Sequence, residues 1–444
     1  MQTFASFRFF NYRLWFAGAI VSNVGTWMQR IAQDWLVLTV LSHNSGVQVG
    51  IVTALQFAPF LLLAPYAGVV ADRFNSRKLL LITQIAAGLL GVGLGVLVLS
   101  GAAALWHVYL FATALGVVSA FDNPVRQTFV TELVPTQYLP NAVGLNSASF
   151  NAARLIGPGL AGVLIAWIGV GWVFIINGLT FAATIVALFA MRIRDLNEHA
   201  RAPKRKGQVR EGVRYVRRRA DILVIMTIMA VVSSLGLNFQ LTSALMARVE
   251  FDKGAGEYGI LGSIMAIGSL AGALLVARRA RPRLRVIVGA AGLFGAMMLV
   301  QAVTPTYGLY ALMCIPVGFF ALALLATANA WVQSTTAPTM RGRAMALYMM
   351  VLMGATPVGS PVVGWIGEQW GPRWAIAIGG IACLAVAVAA AAWSKRFWNL
   401  ELSYAMHRPF VSVAYGRTTS EAARAQREAA KLKVSEQQIE DARG

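Results

Sequence analysis

Apolar residues in this chain come in blocks of about twenty, the length a helix needs to cross roughly 30 Å of hydrocarbon. Short polar or basic segments separate the blocks. The pattern predicts twelve spans, at about 14–39, 47–71, 79–100, 104–124, 141–168, 172–191, 222–247, 257–277, 286–304, 307–331, 343–368 and 373–394. Each must be helical, because lipid offers no partner to a free backbone N–H or C=O. Proline and glycine inside several blocks do not oppose this, since helices packed in a membrane tolerate the first and use the second for close approach. The expected fold class is therefore an all-α membrane protein with twelve transmembrane helices.

Composition supports the pattern. Of the 444 residues, 57% are hydrophobic and only 13% charged, where a soluble domain carries about 25% charged residues. The mean hydropathy is +0.63, too high for a single water-soluble core. The formal net charge of +20 would suggest nucleic acid in a soluble protein. Here the basic residues lie between apolar blocks and form no separate domain, so the expected partner is membrane lipid and not nucleic acid. Arg73/Arg77/Lys78, Arg126, the run Arg192 to Arg219, the run Arg278 to Arg285 and Arg341/Arg343 all fall on the side of the amino terminus. The opposite segments 41–46, 101–103, 169–171 and 305–306 contain no Lys or Arg. By the positive-inside rule both termini are cytoplasmic. The start, with Arg8 and Arg13 leading into a long span, has no cleavable-signal pattern.

The longest internal polar segment separates six spans from six. The expected organisation is 1–191, a first six-helix bundle; 192–221, a basic cytoplasmic linker; 222–396, a second bundle; and 397–444, a polar cytoplasmic tail. In the tail, Thr418 with Glu421 three residues on predicts a capped helix through Glu440. The two bundles repeat each other at an offset of 202 residues: Ala142, Gly157, Gly162, Gly169, Trp172 and Gly178 match Ala344, Gly359, Gly364, Gly371, Trp374 and Gly380 without a gap. The matching spans point the same way, so the bundles are related by an axis along the membrane normal. That layout suits a carrier whose halves rock about a site between them.

The loop after the second span reads Gly68-Val-Val-Ala-Asp72-Arg73-Phe-Asn-Ser-Arg77-Lys78. It resembles the signature of the major facilitator superfamily; the second copy, Gly272 to Arg283, keeps the glycine and basic residues without an acidic one. The fifth span contains Gly157-Pro158-Gly159-Leu160-Ala161-Gly162, similar to the Gly-Pro motif of exporters in that superfamily. Asn11-Tyr12-Arg13-Leu14-Trp15 and Trp27-Met28-Gln29-Arg30 with Asp34-Trp35 resemble the bacterial branch containing the enterobactin exporter and related drug-efflux proteins. The resemblance implies two pseudo-symmetric six-helix bundles (the major facilitator fold), alternating access, a bacterial cytoplasmic (inner) membrane location and, for exporters, proton antiport. One departure stands out. Many proton-coupled exporters carry an Arg within the fourth span, and Leu105 to Phe121 contains none.

Ionisable groups inside spans are costly and mark function or a partner. Asp34 is the only acidic residue placed inside a predicted span rather than at an end, with Arg30 one turn earlier on the same face. Asp34 is read as a proton carrier modulated by Arg30, against a static ion pair near the outer end of the span. Arg154, near the middle of the fifth span, is read as a contact for an acidic substrate or a charge relay, against hydrogen bonding at the Gly157-Pro158 break. Gly68, Asp72, Arg73, Arg77, Asp122 and Arg126 are expected to form a cytoplasmic gating latch, with topology determination as the plainer alternative. Gly157, Pro158 and Gly162 are expected to make a tight seam between the halves. Gln29, Gln33, Gln56, Asn151, Asn238, Gln240, Asn329 and Gln333 are candidate cavity-lining groups, which with nearby aromatics would suit an amphipathic organic molecule.

Cys314 and Cys383 sit in apolar blocks, and none of the four histidines lies in mid-span. No metal and no cofactor are therefore expected. No Gly-x-x-x-x-Gly-Lys-Ser/Thr loop and no intramembrane His-Glu-x-x-His is present, so an ATP-driven pump and a membrane enzyme are disfavoured. The expected function is secondary export of a small amphipathic organic molecule, drug-like or siderophore-like, by a monomer with the proton as coupling ion. The alternative is an importer or uncoupled facilitator of a small metabolite.

Overall fold

The computed structural model describes residues 4–196, 208–278, 282–397, 401–404 and 411–414. Fifteen helices carry the fold: α1 Phe10–Trp35, α2 Gly46–Arg73, α3 Ser76–Leu99, α4 Leu105–Leu133, α5 Leu139–Ile168, α6 Val170–Ala190, α7 Gln208–Arg217, α8 Ala220–Val231, α9 Phe239–Leu245, α10 Ala255–Ala277, α11 Leu284–Ala302, α12 Tyr307–Thr335, α13 Pro338–Gly354, α14 Thr356–Gln369 and α15 Pro372–Phe397. The seventh span joins α8 and α9 through wider π-type turns, and the eleventh joins α13 and α14 at Ala355. Two short antiparallel strands, Glu401–Tyr404 and Val411–Ala414, follow the last helix. The helix expected between Thr418 and Glu440 lies outside the described residues.

Among the described residues, eleven of the spans are long and apolar enough to cross a membrane by length and composition. The twelfth, α1, is more polar, because it buries Asn11, Ser22, Gln29, Gln33 and Asp34. It is nonetheless central, packing against α5 and α6 along much of its length. Its polar groups face protein and not lipid, which is how a membrane helix carries them.

Several helices outrun the predicted spans. α4 continues from the expected end near 124 to Leu133, and Val134 turns extended immediately before Pro135, as the residue before a proline prefers. The hydropathy pattern ends where headgroups begin, but a helix satisfies its own backbone in water too. Asp122 and Arg126, expected at the cytoplasmic end of the fourth span, therefore lie inside α4. Arg126 supplies this helix with an arginine beyond the stretch Leu105 to Phe121.

The linker between the bundles contains α7. Glu211 pairs with Arg343 of α13 at 2.6 Å, and the Tyr215 hydroxyl lies 3.4 Å from the Ala337 backbone N–H. This part of the linker is docked on the second half instead of being wholly solvated. Residues 197–207, with Arg201, Lys204, Arg205 and Lys206, lie outside the described residues.

The 202-residue repeat governs packing as well as sequence. Gly169 and Gly371 both adopt positive φ, +87° and +97°, at the tight turns after the fifth and eleventh spans; a side chain would be strained there. A Cβ on Gly157 would lie 2.6 Å from Trp27 Cβ of α1, and one on its mate Gly359 would lie 1.8 Å from the Ser234 carbonyl of the seventh span. Each of these glycines locks a half to itself. A Cβ on Gly162 would meet the Ala255 carbonyl of α10 at 2.6 Å, and one on its mate Gly364 would meet the Gly46 carbonyl of α2 at 2.2 Å. This second pair draws the halves together. The fifth helix thus meets the eighth span and the eleventh meets the second, related by the same pseudo-two-fold.

Candidate functional site: a charged cluster at the seam between the halves

Trp27, Arg30 and Asp34 occupy one face of α1, at the i, i+3 and i+7 positions of a helix. Arg154 reaches the same place from α5. The Arg30 guanidinium lies 4.8 Å from the centre of the Trp27 ring and 5.7 Å from that of Phe57, and the Arg154 guanidinium lies 5.7 Å from Trp27. Two cations therefore share one indole. Cation–π attraction to one ring is worth about 0.5–2 kcal/mol, far less than a desolvated cation requires. Among the described residues neither arginine forms an ion pair, and Arg30 Nε is buried with no hydrogen-bond partner. Asp34 lies one turn from Arg30 on the same face of α1. The cluster holds two positive groups for one carboxylate.

Asp34 is 6% exposed. Its partner comes from the other half: the Tyr258 hydroxyl of α10 lies 3.4 Å from Asp34 Oδ2 and 3.2 Å from the Gln240 carbonyl. The Tyr258 ring stacks on Trp35 with centroids 5.8 Å apart. Among the described residues Arg30 and Asp34 form no ion pair, and the hydroxyl nearest Asp34 comes from across the seam.

Cross-half hydrogen bonds among the described residues fall in three places. The first is Tyr258 with Asp34. The second is Ser263 of α10, which enters the backbone ladder of α5: its hydroxyl donates to the Leu155 carbonyl at 2.6 Å and accepts from the Gly159 N–H at 3.1 Å. Pro158, lacking an N–H, loosens that turn and makes room for the inserted hydroxyl. The third is Glu368 at the end of α14, whose Oε2 accepts from the Ser45 hydroxyl at 2.6 Å and the Val47 N–H at 3.2 Å. Glu368 so caps α2, and a carboxylate at a helix N-terminus is favoured by the dipole. The ties through Asp34 and Glu368 lie on the side away from the termini. On the terminal side, Gly144 of α5 and Gly342 of α13 have open space where a side chain would stand.

The expected seam residues divide between two roles. Pro158 and Gly162 face α10, where a Cβ on Gly259 would lie 2.3 Å from the Pro158 carbonyl, whereas Gly157 packs on α1 within its own half. The expected latch residues also separate. Asp122 accepts from Thr83 and Gln84 of α3 at 2.7 and 2.8 Å and pairs with Arg126, which also donates to Gln84 at 2.9 Å. Arg77 donates to the Leu188 carbonyl of α6 at 2.7 Å. All of these contacts lie within the first half. The side chains of Gly68, Asp72 and Arg73 lie outside the described residues.

The candidate lining groups are scattered. Gln29 is buried and accepts from Asn177 of α6; Gln33 is buried beside it on α1. Asn238 bonds to Ser234 and Ser360, at the break in the seventh span. Asn151 bonds back to Ser147, and Gln333 to Asn329, each within one helix. Gln240 contributes its carbonyl to Tyr258, and the Gln56 carbonyl lies against Gly116. Tyr258, Ser263 and Glu368 were absent from the sequence expectations. The spacing Gly256, Gly259, Gly262 in α10 was the available signal, since small residues every three positions mark a helix that approaches another closely.

The family model described as "Transmembrane secretion effector" matches residues 1–417. The chain is 32% identical over 122 residues to the Staphyloferrin A transporter of Staphylococcus aureus (strain NCTC 8325 / PS 47), a stretch covering 27% of this chain and 30% of that protein. It is 24% identical over 209 residues to the uncharacterized MFS-type transporter YfiS of Bacillus subtilis (strain 168), covering 46% and 48%. The chain thus spans less than half the length of these curated relatives. Among solved structures it is similar to a POT family transporter in complex with 5-aminolevulinic acid (TM-score 0.70, 11% identity, 87% of this chain and 96% of that one). It is also similar to a bacterial homologue of the human lysosomal transporter Spinster in an inward-facing, unoccupied conformation (0.66, 17%, 86% and 96%). These likenesses carry the fold.

Proposed function

The chain belongs to the transmembrane secretion effector family of major facilitator transporters, and we propose that it is a secondary exporter of a small amphipathic organic molecule, working by alternating access and proton antiport in a bacterial inner membrane. The observation that carries this reading is the under-compensated cluster of half-buried Arg30 and Arg154 with buried Asp34, at a seam that is tied on one side of the protein. With both termini cytoplasmic, as the alternation of basic segments requires, the tied side is the outer one and the state is inward-facing.

The chemistry assigns roles within the cluster. Arg154 and Arg30 present donors without an acceptor, so the substrate brings an acidic group to them, while Trp27 and Phe57 offer apolar area to the rest of it. Asp34 is the proton carrier. The match to the Staphyloferrin A transporter supports a siderophore-like cargo, and a drug-like acid satisfies the same contacts. The latch of Asp72, Arg73 and Arg77 acts in the opposite, outward-facing state, when the cytoplasmic ends close.

Everted vesicles test the reading. Uptake of a candidate amphipathic acid should rise when an acid-inside gradient is imposed and lose that stimulation in Asp34→Asn. Uptake indifferent to the gradient would make the protein a facilitator, and accumulation in right-side-out vesicles would make it an importer.

A further inference from the structure

Tyr258 has one proton to donate and two acceptors to choose from, and the acceptors lie in different halves of the protein. Asp34 Oδ2 belongs to the first half and the Gln240 carbonyl to the second. The phenol is 1% exposed, so water does not compete for it. We infer that Tyr258 is the residue through which the charge on Asp34 is transmitted to the second half, tying the outer side shut when Asp34 is ionised and releasing it when Asp34 takes up a proton.

The argument begins with the strength of the two bonds. A hydrogen bond to a carboxylate is roughly twice as strong as one between neutral groups. With Asp34 ionised, the cross-half bond wins and α1 is held to α10. With Asp34 protonated, its oxygen competes poorly, and the phenol turns to Gln240 within its own half. The Trp35 stack holds the ring in place for both choices. Tyr258 is thus a positioning residue: it touches the proton carrier and moves no proton itself.

This device supplies a rule that antiport needs. An empty, ionised carrier must not cross, or substrate would leak without protons. The ionised tie locks that species with its outer side closed. Protonation removes the tie, so the protonated carrier exchanges between both states. A loaded carrier must also cross, and an acid bound between Arg30 and Arg154 places a second negative charge beside Asp34, which draws Arg30 toward the ligand and disturbs the bond to Tyr258. The inference rests on Asp34 being the proton carrier.

Other ionisable groups surround this bond. Arg30 lies on α1, Arg154 on α5 beside Trp27, and Tyr310 of α12 is buried in the same core as Tyr258 and shares a 3.3 Å contact with Ser243. Glu257, next in sequence, points instead to the Gly254 N–H. Glu368 is the second carboxylate in the outer seal and needs its own control.

The test requires no substrate. Nitroxide labels at Ser100→Cys and Val303→Cys, at the outer ends of α3 and α11, report the opening of the outer side by pulsed electron spin resonance. Cys314 and Cys383 are buried and stay unlabelled. In the unsubstituted background the long-distance population should grow as pH falls from 8 to 5. Tyr258→Phe keeps the ring and removes the donor, so the open-to-closed ratio at pH 8 should rise by about tenfold, the size of one charge-assisted hydrogen bond, and its pH response should flatten. 3-Fluorotyrosine at 258 is a stronger donor in the same volume and should raise the closed fraction at pH 8. Asp34→Asn should also flatten the response, whereas Glu368→Gln should keep one. A Tyr258→Phe protein with an unchanged pH response, while Asp34→Asn loses it, overturns the role of Tyr258 and leaves the Asp34 reading standing. An unchanged response in Asp34→Asn overturns the proton-carrier reading itself.

Discussion

Asp122 and Arg126 sit in α4 with their polar neighbours arranged around them, whereas Arg30 and Arg154 stand over one indole with a single carboxylate between them. Both groups are charged, both lie in the first half, and both drew notice as sequence. In the first, Asp122 accepts from Thr83, Gln84 and Arg126, and Arg126 closes the ring through Gln84 and lies 5.6 Å from the Trp15 ring centre. A network with its lone pairs and protons satisfied has no reason to bind anything, and it fixes α3 to α4. In the second, donors lack acceptors and the acidic partner is claimed across the seam. This deficit, at half-buried Arg30 and Arg154 beside buried Asp34, marks a candidate site for an acidic ligand. Satisfaction, more than charge or burial, separates the structural network from the candidate site.

The contrast can be broken by substitution, and the largest effect should come from the satisfied network. Asp122→Ala leaves the half-buried Arg126 and the Thr83 and Gln84 donors without their common acceptor and should cost about 2–3 kcal/mol of stability, read as a fall in folded yield and in the detergent melting temperature. If that variant melts normally, the network is not structural. Gly259→Val places a branched side chain against the Pro158 carbonyl and should cost about 1–3 kcal/mol by overpacking; because the strain falls on the α5–α10 seam, the labels at 100 and 303 should also report a more open outer side. Asp34→Asn removes one cross-half bond and should cost about 1 kcal/mol, while abolishing stimulation by the proton gradient. Arg154→Ala loses a ring contact worth about 0.5–1 kcal/mol yet should weaken binding of an acidic substrate by tenfold or more, measured by equilibrium binding to detergent-solubilised protein. A variant that is nearly silent in melting and strongly impaired in binding is the signature expected of the unsatisfied cluster. The smallest effect is expected at Arg248 and Asp252, an exposed pair one turn apart on the outer side; Asp252→Asn should change stability by less than about 0.5 kcal/mol.

Much of the architecture was legible as sequence because the bilayer imposes a length and a periodicity on every span. Helix ends were read less well. α4 and α12 extend past the apolar blocks, since backbone hydrogen bonding does not stop at the headgroups, and this moved Arg126 from beyond the predicted span into a helix. The candidate residues were legible as types: Arg30, Asp34 and Arg154 were found because ionisable groups in spans are rare. Their partners were not. Gly157 and Gly162 looked like one motif, and packing assigned the first to α1 and the second to α10.

The chain's own order of residues determined the twelve spans, the alternation of basic segments and the repeat at 202 residues, because each is a local or periodic property that lipid or symmetry reads directly. Only the tertiary structure decided that Asp34 answers to Tyr258, 224 residues away, and that Glu368 caps a helix begun 323 residues earlier at Ser45. Such pairings depend on which faces two bundles turn toward one another, and that is settled by glycine contacts and by the balance of buried polar groups over the whole molecule, not by any one segment.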